Sequence, residues 1–208
     1  MNNKTLGFRI GLAVVGTLLL AISINFIIGI NWGMSTYDTA CLTTQYLLDM
    51  DQYGDAVLVT HAVFLVLIVI FLKKLQSDWK QVLIAIVSIL VVSRVINMFG
   101  FLIDVEYASF AIKFIVFMTN VFVVNLAIYL MANSQLVATP YDRFVIQLSA
   151  VTGRDLGNAR LIVDVITFII AFVIIIIADL PVPISFATLF IVVASGPIIT
   201  MWGKILKY

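Results

Sequence analysis

The sequence predicts an all-α polytopic membrane protein, on three observations. Of its 208 residues 63% are apolar and only 11% charged, whereas a soluble domain runs about 45–50% apolar and about 25% charged. Its apolar residues gather into stretches long enough to cross a bilayer. Its basic residues fall almost entirely on one side of the topology that those stretches define. A soluble enzyme, a nucleic-acid binder and a disordered chain are excluded, because the charged side chains each would need are missing. The formal net charge of +1 offers little to a polyanion. One cysteine and one histidine rule out a disulfide framework and a Cys/His zinc cluster.

A spanning helix rises 1.5 Å per residue and needs about 20 mostly apolar residues to cross a hydrocarbon core of about 30 Å. Six stretches meet this, at residues 8–30, 53–72, 81–103, 107–132, 159–178 and 184–203. The first is too long for a cleaved signal peptide and no small-residue cleavage site follows it. No amphipathic, Arg-rich transit segment precedes it. Two further stretches, 37–50 and 141–152, are partly apolar and too short to span. They read as re-entrant or interfacial helices.

Charge orients the bundle. With six spans and a cytoplasmic N-terminus, one side holds Lys4, Arg9, Lys73, Lys74, Lys80, Arg143, Arg154, Arg160, Lys204 and Lys207, ten of the twelve basic residues. The other two, Arg94 and Lys113, lie inside spans. The opposite side carries Asp38, Asp49, Asp51, Asp55, Asp104, Glu106 and Asp179. This satisfies the positive-inside rule, which counts Lys and Arg and gives acids little weight. Eight spans would put Lys73, Lys74 and Lys80 outside. The expectation is therefore a multi-pass protein of a bacterial plasma membrane with both termini cytoplasmic, residues 1–208 forming a single membrane domain.

The chain also repeats itself at an offset of about 104 residues. Met34-Ser35-Thr36-Tyr37-Asp38 aligns with Ala138-Thr139-Pro140-Tyr141-Asp142. In each half a long span precedes this segment, and a short helix, a turn and two more spans follow it. The repeats run over about residues 6–103 and about 107–206. Three spans per repeat is an odd number, so the second copy enters the membrane from the other side. Inverted repeats of this kind recur in secondary transporters, with a binding site near the midplane. The shared segment suits a helix start, since Ser, Thr and Asp accept from unpaired backbone N–H groups and Pro140 fits the first turn. Two readings of Tyr37, Asp38, Tyr141 and Asp142 stand. They cap and anchor two short helices at the interface, or they mark half-helix termini that line a substrate path.

The pattern of Arg9, Gly11 and Gly16 in the first span, Gly33-Met34-Ser35-Thr36-Tyr37-Asp38, the second copy at Ala138–Asp142, Thr152 to Gly157, Arg160, and Gly196-Pro197 resembles the YczE-like family of bacterial membrane proteins, related to YitT. The resemblance covers nearly the whole chain. Thr36 departs from it where a proline is usual, and Tyr replaces Trp in both copies. It implies a bacterial plasma-membrane protein, with transport as its presumed activity.

Ionisable groups inside a membrane helix cost about 2.5–3.5 kcal/mol each on insertion scales, so they need a reason. Arg94 lies deep in the third span and needs an acid, a carbonyl or a bound anion. Asp164, on the fifth span, is the one acid well inside a span, and the repeat alignment pairs it with His61 on the second. The functional reading is a site between the halves, where Arg94 binds an anion and Asp164 and His61 handle protons. Histidine titrates near neutral pH and a buried carboxylate can be brought there. The structural reading is an Arg94–Asp164 ion pair that fixes the bundle, with His61 bonded to a neighbouring helix. Asn97, three residues from Arg94, shares its face.

Lys113 can snorkel along its stem and, with Arg9, reads as an interface anchor. Asn25, Asn120, Asn125 and Thr200 are expected to bond between helices. Pro197 should kink the last span. Gly7, Gly11 and Gly16 give the first span a small-residue face for close packing, or for a partner subunit or second copy. Tyr37, Tyr53, Trp79, Trp202 and Tyr208 fall at span ends, as an aromatic belt does. Cys41 and His61 form a nucleophilic pair on paper only, with no third residue behind them.

The expected function is a small secondary transporter or exporter. Its solute is small, and an anion is the candidate that Arg94 raises; access alternates by rocking of the two halves. The substrate-binding candidates are Arg94, Asp164, His61, Asn97, Asp38, Asp142, Tyr37 and Tyr141. No catalytic set, metal motif, phosphate loop or dinucleotide fingerprint is present, so neither enzymatic activity nor a cofactor is expected. The expected partners are the lipid bilayer and a small solute, with no nucleic acid. The alternatives are a substrate-capture subunit of an ATPase-driven importer and a non-transporting accessory protein.

Overall fold

A computed structural model describes residues 5–70, 79–107, 109–136, 139–153 and 156–206. Lys4, Lys73, Lys74, Ala138, Arg154, Asp155, Lys207 and Tyr208 lie outside the described residues. Of those described, 84% are helical and none is in a strand. The helices are α1 (Leu6–Ile30), α2 (Thr36–Leu47), α3 (Tyr53–Ile70), α4 (Trp79–Met98), α5 (Phe110–Ser134), α6 (Pro140–Thr152), α7 (Leu156–Ala178) and α8 (Phe186–Leu206). A 3-10 turn, Gly100–Leu102, follows α4.

Among the described residues five helices are long and apolar enough to cross a membrane: α1, α3, α5, Asn158–Ala178 of α7, and α8. The expected third span, 81–103, falls on α4, whose 20 residues end at Met98 and whose apolar part among the described residues is Val82–Met98. Phe99 donates to the carbonyl of Ile96 and Leu102 to that of Phe99, so the chain tightens into i→i−3 turns at Gly100, a poor helix former. Large apolar side chains stay exposed along α7 and at the start of α8, Ile177 by 80% and Phe186 by 82%. A helix that is apolar all round and exposed belongs in lipid. The molecule is an all-helical membrane protein.

The short helices start as their sequences dictate. Thr139 caps α6 by accepting from the amide of Asp142, Pro140 fills the first turn, and Gly153 ends the helix in the left-handed region at φ 66°. Asp38 and Asp142 lie in the first turns of α2 and α6, where the helix dipole favours a negative charge.

The chain divides into two compact units. One comprises Met1–Ser35, Arg94–Val137 and Pro183–Tyr208. Here α5 packs against α1 and α8, and the 3-10 turn packs on α1. Gly16 lets α1 approach closely: a Cβ there would lie 2.7 Å from Cγ of Met131 and 3.1 Å from the carbonyl of Ala127. Gly7 and Gly11 are exposed. Gly16 thus serves the close helix packing expected of a small residue. Arg9 donates from Nε to the carbonyl of Ser134 at 2.8 Å, placing a cation at the C-terminal end of α5, which the helix dipole favours. Lys113 lies 5.9 Å over the ring of Tyr107.

The polar residues within the spans mostly turn back on their own helices. Asn120 donates to the carbonyl of Val116, Asn125 to Val121 and Thr200 to Gly196. The bonds expected between helices are thus intrahelical for these three, because a carbonyl one turn back is already within reach of a short side chain. Asn25 alone of these four reaches another element, donating to the carbonyls of Ala21 and Ile96.

The other unit comprises Thr36–Ser93 and Ala138–Val182. Here α2 packs on α3 and α7, and α6 packs on α3 and α7. Ser93 ties α4 to α3, donating to the carbonyl of Gly54 at 2.6 Å. Each unit joins elements from residues 6–103 with elements from 107–206. The two sequence halves are thus interleaved within these units. The contacts α1–α5, α2–α7 and α3–α6 tie the halves together.

Candidate functional site

The second unit carries a polar and aromatic cluster at the point where α2, α3, α6 and α7 meet. Its apolar base is Phe64, Tyr141, Val145, Ala159 and Val163, with Tyr37 and Phe144 packed against it. Tyr37 and Tyr141 are the second residues of the two short helices, and their ring centroids are 4.8 Å apart. Phe64 of α3 stands edge-on to Tyr141 at 5.1 Å and lies 6.3 Å from Tyr37.

Each tyrosine carries its hydroxyl to a titratable group. The phenol of Tyr37 bonds to the ring of His61, meeting Nδ1 and, at 3.1 Å, Nε2. Nδ1 of His61 lies 2.9 Å from the carbonyl of Val57. The phenol of Tyr141 donates to Oδ1 of Asp164. Thr36 donates to the same oxygen at 3.0 Å. His61 and Tyr141 are each 3% exposed, and their partners Tyr37 and Asp164 are half-buried.

Arg160 completes the cluster from α7. Its Nε lies 3.7 Å from Oδ2 of Asp164 and its Nη1 lies 4.0 Å from Oδ1 of Asp142. Its guanidinium carbon stands 5.9 Å over the ring of Tyr141. Thr139 holds Asp142 in place by donating to Oδ2 at 2.8 Å. Beside the cluster Tyr53 donates to Oδ1 of Asp38 at 3.0 Å, and Cys41 is fully buried. Burial pushes the Cys41 thiol up to about 12, the reverse of what a nucleophilic cysteine needs.

Of the candidates from the sequence, Tyr37, His61, Tyr141, Asp142 and Asp164 come together here. Asp38 is held beside them by Tyr53. Arg94 and Asn97 belong to the other compact unit, and Arg94 is exposed on α4. The acid Asp164 has Arg160, one helical turn away on its own helix, as its cation. Sequence reasoning counted Arg160 only as a cytoplasmic charge. The signal that could have found it is the spacing Arg160-x-x-x-Asp164, which puts both side chains on one face. Thr36 was noted as a departure from proline; its hydroxyl is what reaches Asp164.

Fold and cluster together define a polytopic, all-helical membrane protein whose polar groups converge at the starts of two short helices. The chain belongs to a family of unknown function, DUF6198, whose model matches residues 7–204. No curated protein and no solved structure matches it.

Proposed function

We propose that this protein is a small secondary transporter whose solute site is the Tyr37–His61–Tyr141–Asp164 cluster. The observation that carries the reading is a part-buried polar chain that joins two membrane-length helices, α3 and α7, through the starts of the two short ones. His61 bonds to Tyr37, the ring of Tyr37 packs tilted against that of Tyr141, and Tyr141 bonds to Asp164. Ionisable groups in such helices are costly, and function is their default explanation. In this reading His61 and Asp164 exchange protons with the solute path.

The proposal includes six spans, with α4 and its 3-10 turn as the third, and both termini on the cytoplasmic side of a bacterial plasma membrane. It also includes two inverted repeats. In their support, the tyrosine of each short helix bonds to a titratable residue at nearly the same distance along the chain, 24 residues for Tyr37–His61 and 23 for Tyr141–Asp164. Kinship with the YczE-like proteins stays part of this proposal. The test is flux: in proteoliposomes, Asp164→Asn should abolish pH-dependent solute uptake. Unchanged uptake would remove Asp164 from the mechanism.

A second reading is favoured by a specific observation. Oδ1 of Asp164 accepts two hydroxyl bonds and Oδ2 faces Arg160. A carboxylate so occupied can serve as an anchor for α2, α6 and α7 in a non-transporting accessory protein. Alanine at Asp164 and His61 would then lower stability without changing the affinity for any solute.

A further inference from the structure

The character of the cluster turns on Arg160. Its contacts to Asp142 and Asp164, at 4.0 and 3.7 Å, are longer than the roughly 2.7–2.9 Å of a tight charge-assisted bond. Its side chain is 44% exposed, while the phenol beneath it belongs to a residue only 3% exposed. Pairs of this kind contribute about 0–1 kcal/mol. Among the described residues the guanidinium is therefore held by charge and by the π face of Tyr141, without directional bonds, and it can leave. The bonds that hold the elements together are those of Thr36, Tyr37 and Tyr141, which do not involve it.

What remains without Arg160 is two carboxylates, Asp142 and Asp164, beside aromatic rings of Tyr37, Phe64 and Tyr141. Both features attract a cation: carboxylates by charge, and aromatic faces through their quadrupole. An anion would meet two negative groups there.

We infer that the cluster binds a small organic cation, an amine or guanidinium compound, and that Arg160 is a tethered stand-in occupying the site until the solute displaces it. This names the solute class of the site proposed above, and it rests on the transport reading only for the claim that the bound cation moves.

The test uses the purified full-length chain with four probes at equal ionic strength: methylguanidinium, tetramethylammonium, acetate and methyl phosphate. Calorimetry should show binding of the two cations and not of the anions, with the melting temperature rising accordingly. Arg160→Gln removes the tethered competitor and should tighten methylguanidinium binding about fivefold, as expected for losing a pair worth about 1 kcal/mol. Arg160→Lys keeps a cation and should stay within about twofold of the wild type, and Asp164→Asn should lose binding. Unchanged or weaker cation binding in Arg160→Gln overturns the inference. If that variant does not fold, the wild-type chain decides: binding of the anions, or of no probe, overturns it. Flux keeps the two readings apart. Cation binding with the Arg160→Gln gain but no methylguanidinium movement into proteoliposomes removes transport and leaves the solute class. Acetate flux without cation binding keeps transport and removes the solute class.

Discussion

Tyr141 donates its hydroxyl to Asp164, 23 residues further along, and this bond joins the start of the short helix α6 to the third turn of α7. Thr36 of α2 donates to the same oxygen, so one carboxylate gathers three helices.

Removing the phenol should therefore uncouple α6 from α7. Tyr141→Phe is expected to lower stability by about 1 kcal/mol, within the range measured for polar contacts between membrane helices. In an Asp164→Asn background the same substitution should cost much less, because the two residues share one bond. A double-mutant cycle from unfolding in mild detergent gives the coupling. Additive effects would show that the bond contributes nothing.

Gly16 and Gly11 should respond oppositely to alanine. At Gly16 the new Cβ would meet Met131 at 2.7 Å and the backbone carbonyl of Ala127 at 3.1 Å, while at Gly11 it meets nothing within 4 Å. Gly16→Ala should cost about 1–3 kcal/mol through overpacking. Gly11→Ala should be neutral or slightly stabilising, since alanine is the better helix former. Thermal unfolding of both variants checks this.

Cys41 should be inert in the folded protein. Its thiol, ordinarily at 9.0, is pushed up to about 12 by burial, and only the thiolate reacts. Maleimide at pH 8 should label it slowly until the chain is denatured. The sign of the linkage follows. The folded state holds the proton more tightly than the unfolded one, so this group's contribution is fully present below about pH 9 and is lost as pH rises toward 12. Cys41→Ser should flatten the stability profile in that alkaline window.

The topology has its own measurement. In a Cys41→Ser background, Asp51→Cys should react with a membrane-impermeant maleimide added to intact cells, and Lys204→Cys should react only after the membrane is opened. The reverse pattern would invert the orientation.

Much of the architecture was legible before any coordinates. Helix positions follow from apolar runs, since a bilayer admits few ways to satisfy backbone groups. The start of α6 follows from Thr139 and Pro140, whose effects act over one helical turn. The separations of Tyr37 from His61 and of Tyr141 from Asp164 lie in the repeat alignment, which already paired His61 with Asp164. Local chemistry and simple periodicity are read along the chain, so these needed no knowledge of packing.

Partner choice was another matter. The sequence offers Arg94 and Arg160 as cations for Asp164 on equal terms of charge. Only folding puts Arg160 against Asp142, Asp164 and the ring of Tyr141, and assigns Arg94 to the other unit. Asn120 and Asn125 likewise found carbonyls on their own helices. The interleaving of the halves, α1 on α5, α2 on α7 and α3 on α6, is also a tertiary fact. Span length and charge sidedness depend on the chain and the bilayer alone. Which charge meets which depends on crossing helices whose arrangement is set by close packing, and close packing is encoded in side-chain shape rather than in any linear pattern.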